Sequence, residues 1–240
     1  MKNQIYNLSY KSSSIDKEIK AKLGTVEEDS SGFLGLHEKE EFRGKKILDK
    51  LVTLDFNTVL DIGAGKCEQA TFLREFNKEV FTCDYGEGTN SLKLGSYDYI
   101  GDFNHLTFRE NFDCTLCSHI LEHQLNINSF LKKVVSHTKE NGYIVLIVPP
   151  RKPFIIGGHV SMWNAGLLLY NLILAGVDCS KECYVKQYDY NIGIIVKNIK
   201  NNIEHIPLTY DGGDITNVLS SFFPFDAFDG VNGDIMELNW

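Results

Sequence analysis

Four short stretches of this chain carry residue types that can hold a ligand or act on one. VLDIGAGKC, residues 59–67, runs from apolar residues through Asp61 and then sets Gly63 and Gly65 at alternate positions. Glycines so spaced clear side chains from backbone that a ligand must approach, and they permit positive φ. The rhythm then breaks, with Cys67 and Glu68 where a dinucleotide loop would continue to a third glycine. A second stretch, VFTCDYG, ends in Asp84 followed by Tyr85 and Gly86. A carboxylate at that distance from a glycine loop suits the two hydroxyls of a ribose. SHILEH, 118–123, gathers Ser118, His119, Glu122 and His123, and GGHVSMWN, 157–164, sets His159 behind two glycines. An imidazole with an ordinary near-neutral pKa can take a proton from an acceptor. His119 and His123 stand four residues apart without a nearby set of other ligands, so no metal site is expected.

Glycine loop plus Asp84 indicates an adenosine-type ligand, either a dinucleotide or S-adenosylmethionine. A pyrophosphate needs a closely packed helix N-terminus free of negative charge. Here Glu68 occupies the third position of the motif and Asp61 precedes the loop, so two carboxylates stand where phosphate would bind. The same charges suit a ligand carrying an ammonium and a sulfonium. The charge pattern favours S-adenosylmethionine.

The elements that must position these residues are short apolar runs separated by helical lengths. Strands are predicted at 58–62, 79–83, 97–101, 112–117 and 142–148, with helices at 68–76 and 127–138 and a helix-like pattern over 38–51. Alternation at this spacing predicts parallel βαβ units in a doubly wound α/β sheet. Ligands then sit beyond the carboxyl ends of the strands. Two further strands, 183–188 and 192–197, lie too close together for a crossover and are predicted to pair antiparallel as a hairpin. Cys114 and Cys117 form a CxxC within a strand, where positions i and i+3 face opposite sides, so the pair is read as core.

The chain has 240 residues, 43% of them hydrophobic, enough for one substantial core. A net charge of −8 gives no basic footprint, so no nucleic-acid partner is expected. AGLLLYNLILAGV, 165–177, is shorter than the ~20 apolar residues a membrane span requires and is read as a buried helix. The polar N-terminal stretch shows no secretory h-region, and the six cysteines follow no disulfide spacing, so a reduced, cytoplasmic chain is expected. Three regions are expected: an N-terminal arm over 1–37 with one helix at 14–22, a ligand-binding domain over 38–198, and an extension over 199–240. The extension carries Phe222, Phe223, Phe225, Phe228 and Trp240, rings that should pack on the domain or join two copies in a homodimer.

Taken together, VLDIGAGKC, CDYG (83–86), GDF (101–103), FDCTLCSHILEH (112–123) and LKKVVSHTKENGYIVLIVPP (131–150) resemble the Rossmann-like S-adenosylmethionine-dependent methyltransferases of small-molecule type, over about 40–198. The resemblance implies a seven-stranded sheet whose last strand is antiparallel, S-adenosyl-L-methionine as cofactor and S-adenosyl-L-homocysteine as product. It also implies roles. Asp61, Gly63, Ala64 and Gly65 would line the methionine moiety, Asp84 would hold the ribose and Tyr85 the adenine. Asp102 would accept from the adenine amino group beside Phe103, and Ser118 would lie by the methionine carboxylate. The family usually has Gly where Cys67 stands.

The family often places acceptor contacts in the loop after the fifth strand, which makes His159 and then His119 the catalytic candidates. Arg151 and Lys152 would hold an anionic acceptor, with Trp163, Tyr6 and Tyr10 as further substrate contacts and the arm closing over the site. The fourth strand runs into SHIL rather than the Pro-Pro-aromatic signature of amino-group methylases. The GGHVSMWN loop and aromatic tail are more softly similar to methyltransferases of cell-surface polysaccharide pathways. The expected reaction is methyl transfer to O or N of a sugar or phosphate-bearing precursor. The alternatives are N-methylation of an amino-alcohol phosphate, a non-catalytic S-adenosylmethionine-binding partner, or a nicotinamide oxidoreductase.

Overall fold

The computed structural model describes residues 41–86 and 96–240. The expected arm, with Tyr6, Tyr10 and the helix at 14–22, lies outside the described residues. After helix α1 (Lys45–Leu51) come β1 (Thr58–Ile62), α2 (Glu68–Glu75), β2 (Glu79–Asp84), β3 (Tyr99–Ile100) and β4 (Phe112–Ser118). They are followed by α3 (Ile127–His137), β5 (Thr138–Val148), α4 (Ala165–Leu174), β6 (Cys183–Tyr188) and β7 (Asn191–Lys197). A single turn, α5 (Gly212–Asp214), and a two-residue strand, β8 (Glu237–Leu238), complete the chain.

The strands form one sheet in the order β3-β2-β1-β4-β5-β7-β6-β8. β1 to β5 are parallel, β7 runs antiparallel to β5, and β6 pairs antiparallel with β7. This is the doubly wound α/β arrangement with an antiparallel hairpin. Alternating side chains feed two separate cores. Leu60, Ile62, Cys117, Ile144 and Leu146 face α3 and α4, while Val59, Cys114, Leu116, Val145 and Ile147 face α1 and α2. Cys114 and Cys117 therefore sit on opposite faces, and all six cysteines are free and buried. Among the described residues no helix is long and apolar enough to cross a membrane.

The start of β5 and the number of strands depart most from the sequence expectation. β5 begins at Thr138, where helix α3 passes directly into the strand. Thr138 pairs with Phe112, and an irregularity follows before Cys114 meets Tyr143. The Lys139–Gly142 stretch that reads as a turn is thus the irregular start of a strand, with Asn141 at φ +63°.

The second correction is the strand count, eight among the described residues in place of seven. The end of the C-terminal extension pairs with β6 through Leu238 opposite Val185 and Glu237 opposite Lys186, the latter also an ion pair. Earlier in the extension, Leu219, Phe223 and Ala227 are buried in the core, while Phe228 stays exposed. The extension is locked at Gly166, whose N–H donates to Gly233 O at 2.8 Å. A Cβ on Gly166 would lie 2.7 Å from Gly233 Cα. Gly166→Val is therefore expected to destabilise the fold by about 1–3 kcal/mol through overpacking against backbone. Faster proteolytic clipping within 228–240 and a lowered Tm would check it.

Candidate functional site

A cleft of about 1030 Å³ opens at the carboxyl ends of the parallel strands. Its floor is the loop between β1 and α2. Gly63 and Gly65 adopt φ +75° and +51°, and a Cβ on Gly63 would lie 2.7 Å from Ile120 Cδ1. The loop is held from below and behind. Gly63 and Ala64 donate to Cys83 O at 2.8 and 3.1 Å, Gly65 N donates to Asp84 Oδ2 at 2.9 Å, and Cys67 N donates to Ala64 O at 2.7 Å. The Tyr97 hydroxyl clamps Gly65 O at 2.6 Å. These N–H groups are spent inside the protein and do not form the donor nest a pyrophosphate requires.

Cys67 takes the left-handed conformation, φ +58°, immediately before α2. That conformation accounts for the glycine usual at this position, since an L side chain there costs about 1–2 kcal/mol. Its side chain is buried in the core under the loop, and burial pushes the thiol up to about 11, so it is packing and not a nucleophile.

Asp84 ends β2 and turns its carboxylate along the cleft wall. Oδ2 accepts from Gly65 N, and Oδ1 accepts from Gly86 N at 2.9 Å. Tyr85, Asp102 and Phe103 share this wall. Phe103 is 3% exposed and packs its ring on Phe130, centroids 5.3 Å apart. Asp102 Oδ1 accepts from the Asn104 backbone and side-chain nitrogens at 2.9 and 3.0 Å.

Asp61, Ala64 and Ser118 do not reach the cleft wall. Ala64 is buried beneath the loop, and Ser118 Oγ accepts weakly from Gln69 Nε2 at 3.4 Å. Asp61 is 1% exposed, its Oδ2 lacks a partner among the described residues, and its pKa is raised to about 7. Burial is the main cause; Arg74 opposes it and Asp84 adds to it.

The far end of the cleft holds the histidines. His119 leaves β4 with φ +53°, its N–H held by Ile147 O at 2.8 Å. The ring is nearly parallel to Tyr190, centroids 6.0 Å apart, and Nε2 lies 2.9 Å from Asn191 Oδ1. Glu122 is 1% exposed, with Oε1 at 3.4 Å from His119 Nδ1 and 3.9 Å from His123 Nε2. The loop after β5 folds back onto this turn, Val160 N donating to Glu122 O at 2.8 Å. That fold brings His159 edge-on to His123, centroids 5.0 Å apart. Burial holds the His159 imidazole below its ordinary pKa, with Glu122 opposing. One ligand atom each from Glu122, His123 and His159 lies within 4.8 Å of the others, a grouping the sequence reading did not anticipate.

Two expected substrate contacts are corrected. Arg151 pairs with Asp234 of the C-terminal extension at 2.7 Å and does not face the cleft. Trp163 is 4% exposed, part of the core beneath α4. Lys152 instead lies with Nζ 4.2 Å from the Tyr190 ring centroid, beside a smaller cavity of about 270 Å³ in the loop after β5. Arg43 covers the same ring at 5.4 Å and lines the main cleft.

Sequence reasoning missed Arg43, Tyr190 and Asn191. The signal for the last two was present, because a hairpin pairing antiparallel with β5 must turn near the strand's carboxyl end. Asn191 begins β7 beside Ile192, which pairs with Val148.

The fold is that of the class I S-adenosylmethionine-dependent methyltransferases. A methyltransferase from Archaeoglobus fulgidus shares it at 17% identity, with a TM-score of 0.53 over 64% of this chain and 92% of that one. One from Aquifex aeolicus gives 17% and 0.50 over 66% and 90%. A Burkholderia thailandensis 1,6-didemethyltoxoflavin-N1-methyltransferase gives 16% and 0.51 over 65% and 76%. No curated protein matches the chain in sequence. Residues 60–146, from β1 to β5, match the family model of a methyltransferase domain.

Proposed function

We propose that the protein moves a methyl group to an oxygen or nitrogen of a small acceptor bound at the histidine end of the cleft. The observation that carries this reading is the juxtaposition in one cleft of the Gly63–Gly65 loop with Asp84 at one end and His119, Glu122, His123 and His159 at the other. S-adenosylmethionine supplies a methyl carbon already activated by its sulfonium, so the protein's task is alignment and handling of the acceptor's proton. Asp84 holds the ribose, Tyr85 and Asp102 border the adenine, and the loop leaves room for the methionine.

The acceptor end is ringed by polar and aromatic groups. The Tyr190 ring is flanked by the Arg43 and Lys152 cations, a pairing that suits an acceptor carrying phosphate, in its narrower form a sugar precursor of a surface polysaccharide. The Burkholderia thailandensis enzyme, whose structure contains 1,6-didemethyltoxoflavin and S-adenosylhomocysteine, supports an acceptor of small-molecule size in such a cleft. His159 activates the acceptor. Its imidazole, held below the ordinary pKa, keeps a neutral lone pair at pH 7.

The test is turnover. Formation of S-adenosylhomocysteine is measured with phosphorylated sugars, nucleotide sugars and amino-alcohol phosphates as acceptors. The expected result is product with at least one phosphate-bearing acceptor and none with its dephosphorylated form. Turnover indifferent to the phosphate would remove the anionic acceptor. With a working acceptor, His159→Ala should lower kcat about 100-fold or more while leaving S-adenosylhomocysteine affinity unchanged. The acid limb of the kcat profile should fall below pH 6.5, because His159 must be neutral to act and its pKa is lowered. An unchanged kcat would take His159 out of the reaction.

A further inference from the structure

We infer that Glu122, His123 and His159 form a binding site for a divalent transition-metal ion of the zinc type, set in the wall of the cleft where the acceptor is proposed to bind. The placement beside an acceptor rests on the methyltransferase reading; the metal site itself rests on geometry and hydrogen bonding alone.

The Glu122 side chain is 1% exposed, and Oε2 has no partner among the described residues. A buried ionised carboxylate without a compensating cation or donor is costly, and such groups are ordinarily paired or bound to metal. Two imidazoles approach its other oxygen, and for His123 the outer hydrogen bond fixes the neutral tautomer that cannot donate to it. His123 Nδ1 lies 2.8 Å from Gly158 O. A carbonyl only accepts, so Nδ1 carries the proton and neutral His123 turns the Nε2 lone pair toward Glu122. His119 Nε2 lies 2.9 Å from Asn191 Oδ1, and its Nδ1 lies 3.4 Å from Glu122 Oε1. With the imidazole neutral, the His123 Nε2 lone pair and Glu122 Oε1 face each other 3.9 Å apart with no proton between them. A divalent cation resolves this arrangement.

The second shell is that of a metal-binding histidine. Ligating imidazoles almost always donate their other N–H to a carbonyl or carboxylate, which sets the ring's orientation. Gly158 makes this contact possible for His123. It adopts φ +81°, and a Cβ there would lie 2.9 Å from His123 Nδ1. Backbone bonds secure both flanks, His159 N donating to Ile156 O and Val160 N to Glu122 O. The candidate ligand atoms of Glu122, His123 and His159 lie within 4.8 Å of one another. Bonds of about 2.1 Å in a tetrahedron place ligand atoms about 3.4 Å apart, so closure needs the His159 loop to tighten by roughly an ångström. Two imidazoles and one carboxylate are a borderline-soft donor set that selects zinc, cobalt or iron over magnesium and calcium. Three protein ligands leave a coordination position open to the cleft, where an acceptor's oxygen can bind and lose its proton more readily. In that site His159 acts on the acceptor through the ion.

The test uses the whole purified chain, freed of metal with a chelator and titrated with Co²⁺, whose visible absorption reports histidine and carboxylate ligation. One equivalent is expected to bind and to be displaced by Zn²⁺. His159→Ala and Glu122→Gln should each weaken Co²⁺ binding about 10-fold or more, the scale on which even outer-shell losses act. His205→Ala, altering an exposed histidine of the extension, should not change it. Because Glu122 is buried, the His159 variant decides the matter if Glu122→Gln does not fold. Failure of the wild-type chain to bind Co²⁺, or equal binding by wild type and His159→Ala, overturns the site. S-adenosylhomocysteine binding measured on the same samples separates the two readings. Intact cofactor binding without cobalt removes only the metal, whereas loss of cofactor binding removes the proposed function.

Discussion

Asp84→Ala is expected to weaken S-adenosylhomocysteine binding by about 100-fold or more, since two hydrogen bonds to a charged group are worth about 1.5–3 kcal/mol each. The effect has two sources. The carboxylate is the acceptor proposed for the ribose hydroxyls, and it also anchors the loop through Gly65 N and the turn through Gly86 N. Asp84→Asn retains one acceptor oxygen and should fall between the two. Isothermal titration of the product onto each variant checks the order. A loss of less than tenfold in Asp84→Ala would take Asp84 away from the ribose.

The second large effect is on stability, at Asp61. Its folded-state pKa is raised from 3.8 to about 7, chiefly by burial. Between those values the folded chain holds a proton that the unfolded chain has released, so stability falls as pH rises through this window. The contribution is fully present below pH 4 and is lost above about 7. A shift of this size corresponds to on the order of 4 kcal/mol. Asp61→Asn carries no charge to bury. It should be more stable than the wild-type chain at pH 8, with the advantage shrinking toward pH 4. Denaturant midpoints at the two pH values measure it. Equal pH dependence in the two proteins would mean that Asp61 is ionised without penalty in the fold.

The parts legible in the sequence are those fixed by local pattern. Apolar runs at βαβ spacing give the five parallel strands. The short gap at 189–191 forces the hairpin. Period-two alternation puts Cys114 and Cys117 on opposite faces. Strand β8 was not legible because two residues have no periodicity, and its existence depends on the β6 edge it meets. The start of β5 was hidden because Asn141 and Gly142 carry turn chemistry inside a strand.

The same division runs through the site. Gly63, Gly65 and Asp84 announce themselves because a strand and its following loop place them. Arg151 looked available because its partner, Asp234, lies 83 residues away in sequence. Glu122, His123 and His159 come together only because the loop after β5 turns back on the SHILEH segment. No local spacing encodes that turn. Cys67, which broke the glycine rhythm, occupies a left-handed position and fills the core beneath the loop.

The central claim is that the loop and Asp84 make a cofactor cleft for S-adenosylmethionine rather than for a dinucleotide. Calorimetric titration of the wild-type chain with S-adenosylhomocysteine and, separately, with NADH tests it most directly. Saturable one-to-one binding of S-adenosylhomocysteine is expected, with no measurable heat from NADH, because the N–H groups of Gly63, Ala64, Gly65 and Cys67 are spent within the protein. Tight NADH binding with none for S-adenosylhomocysteine would contradict it.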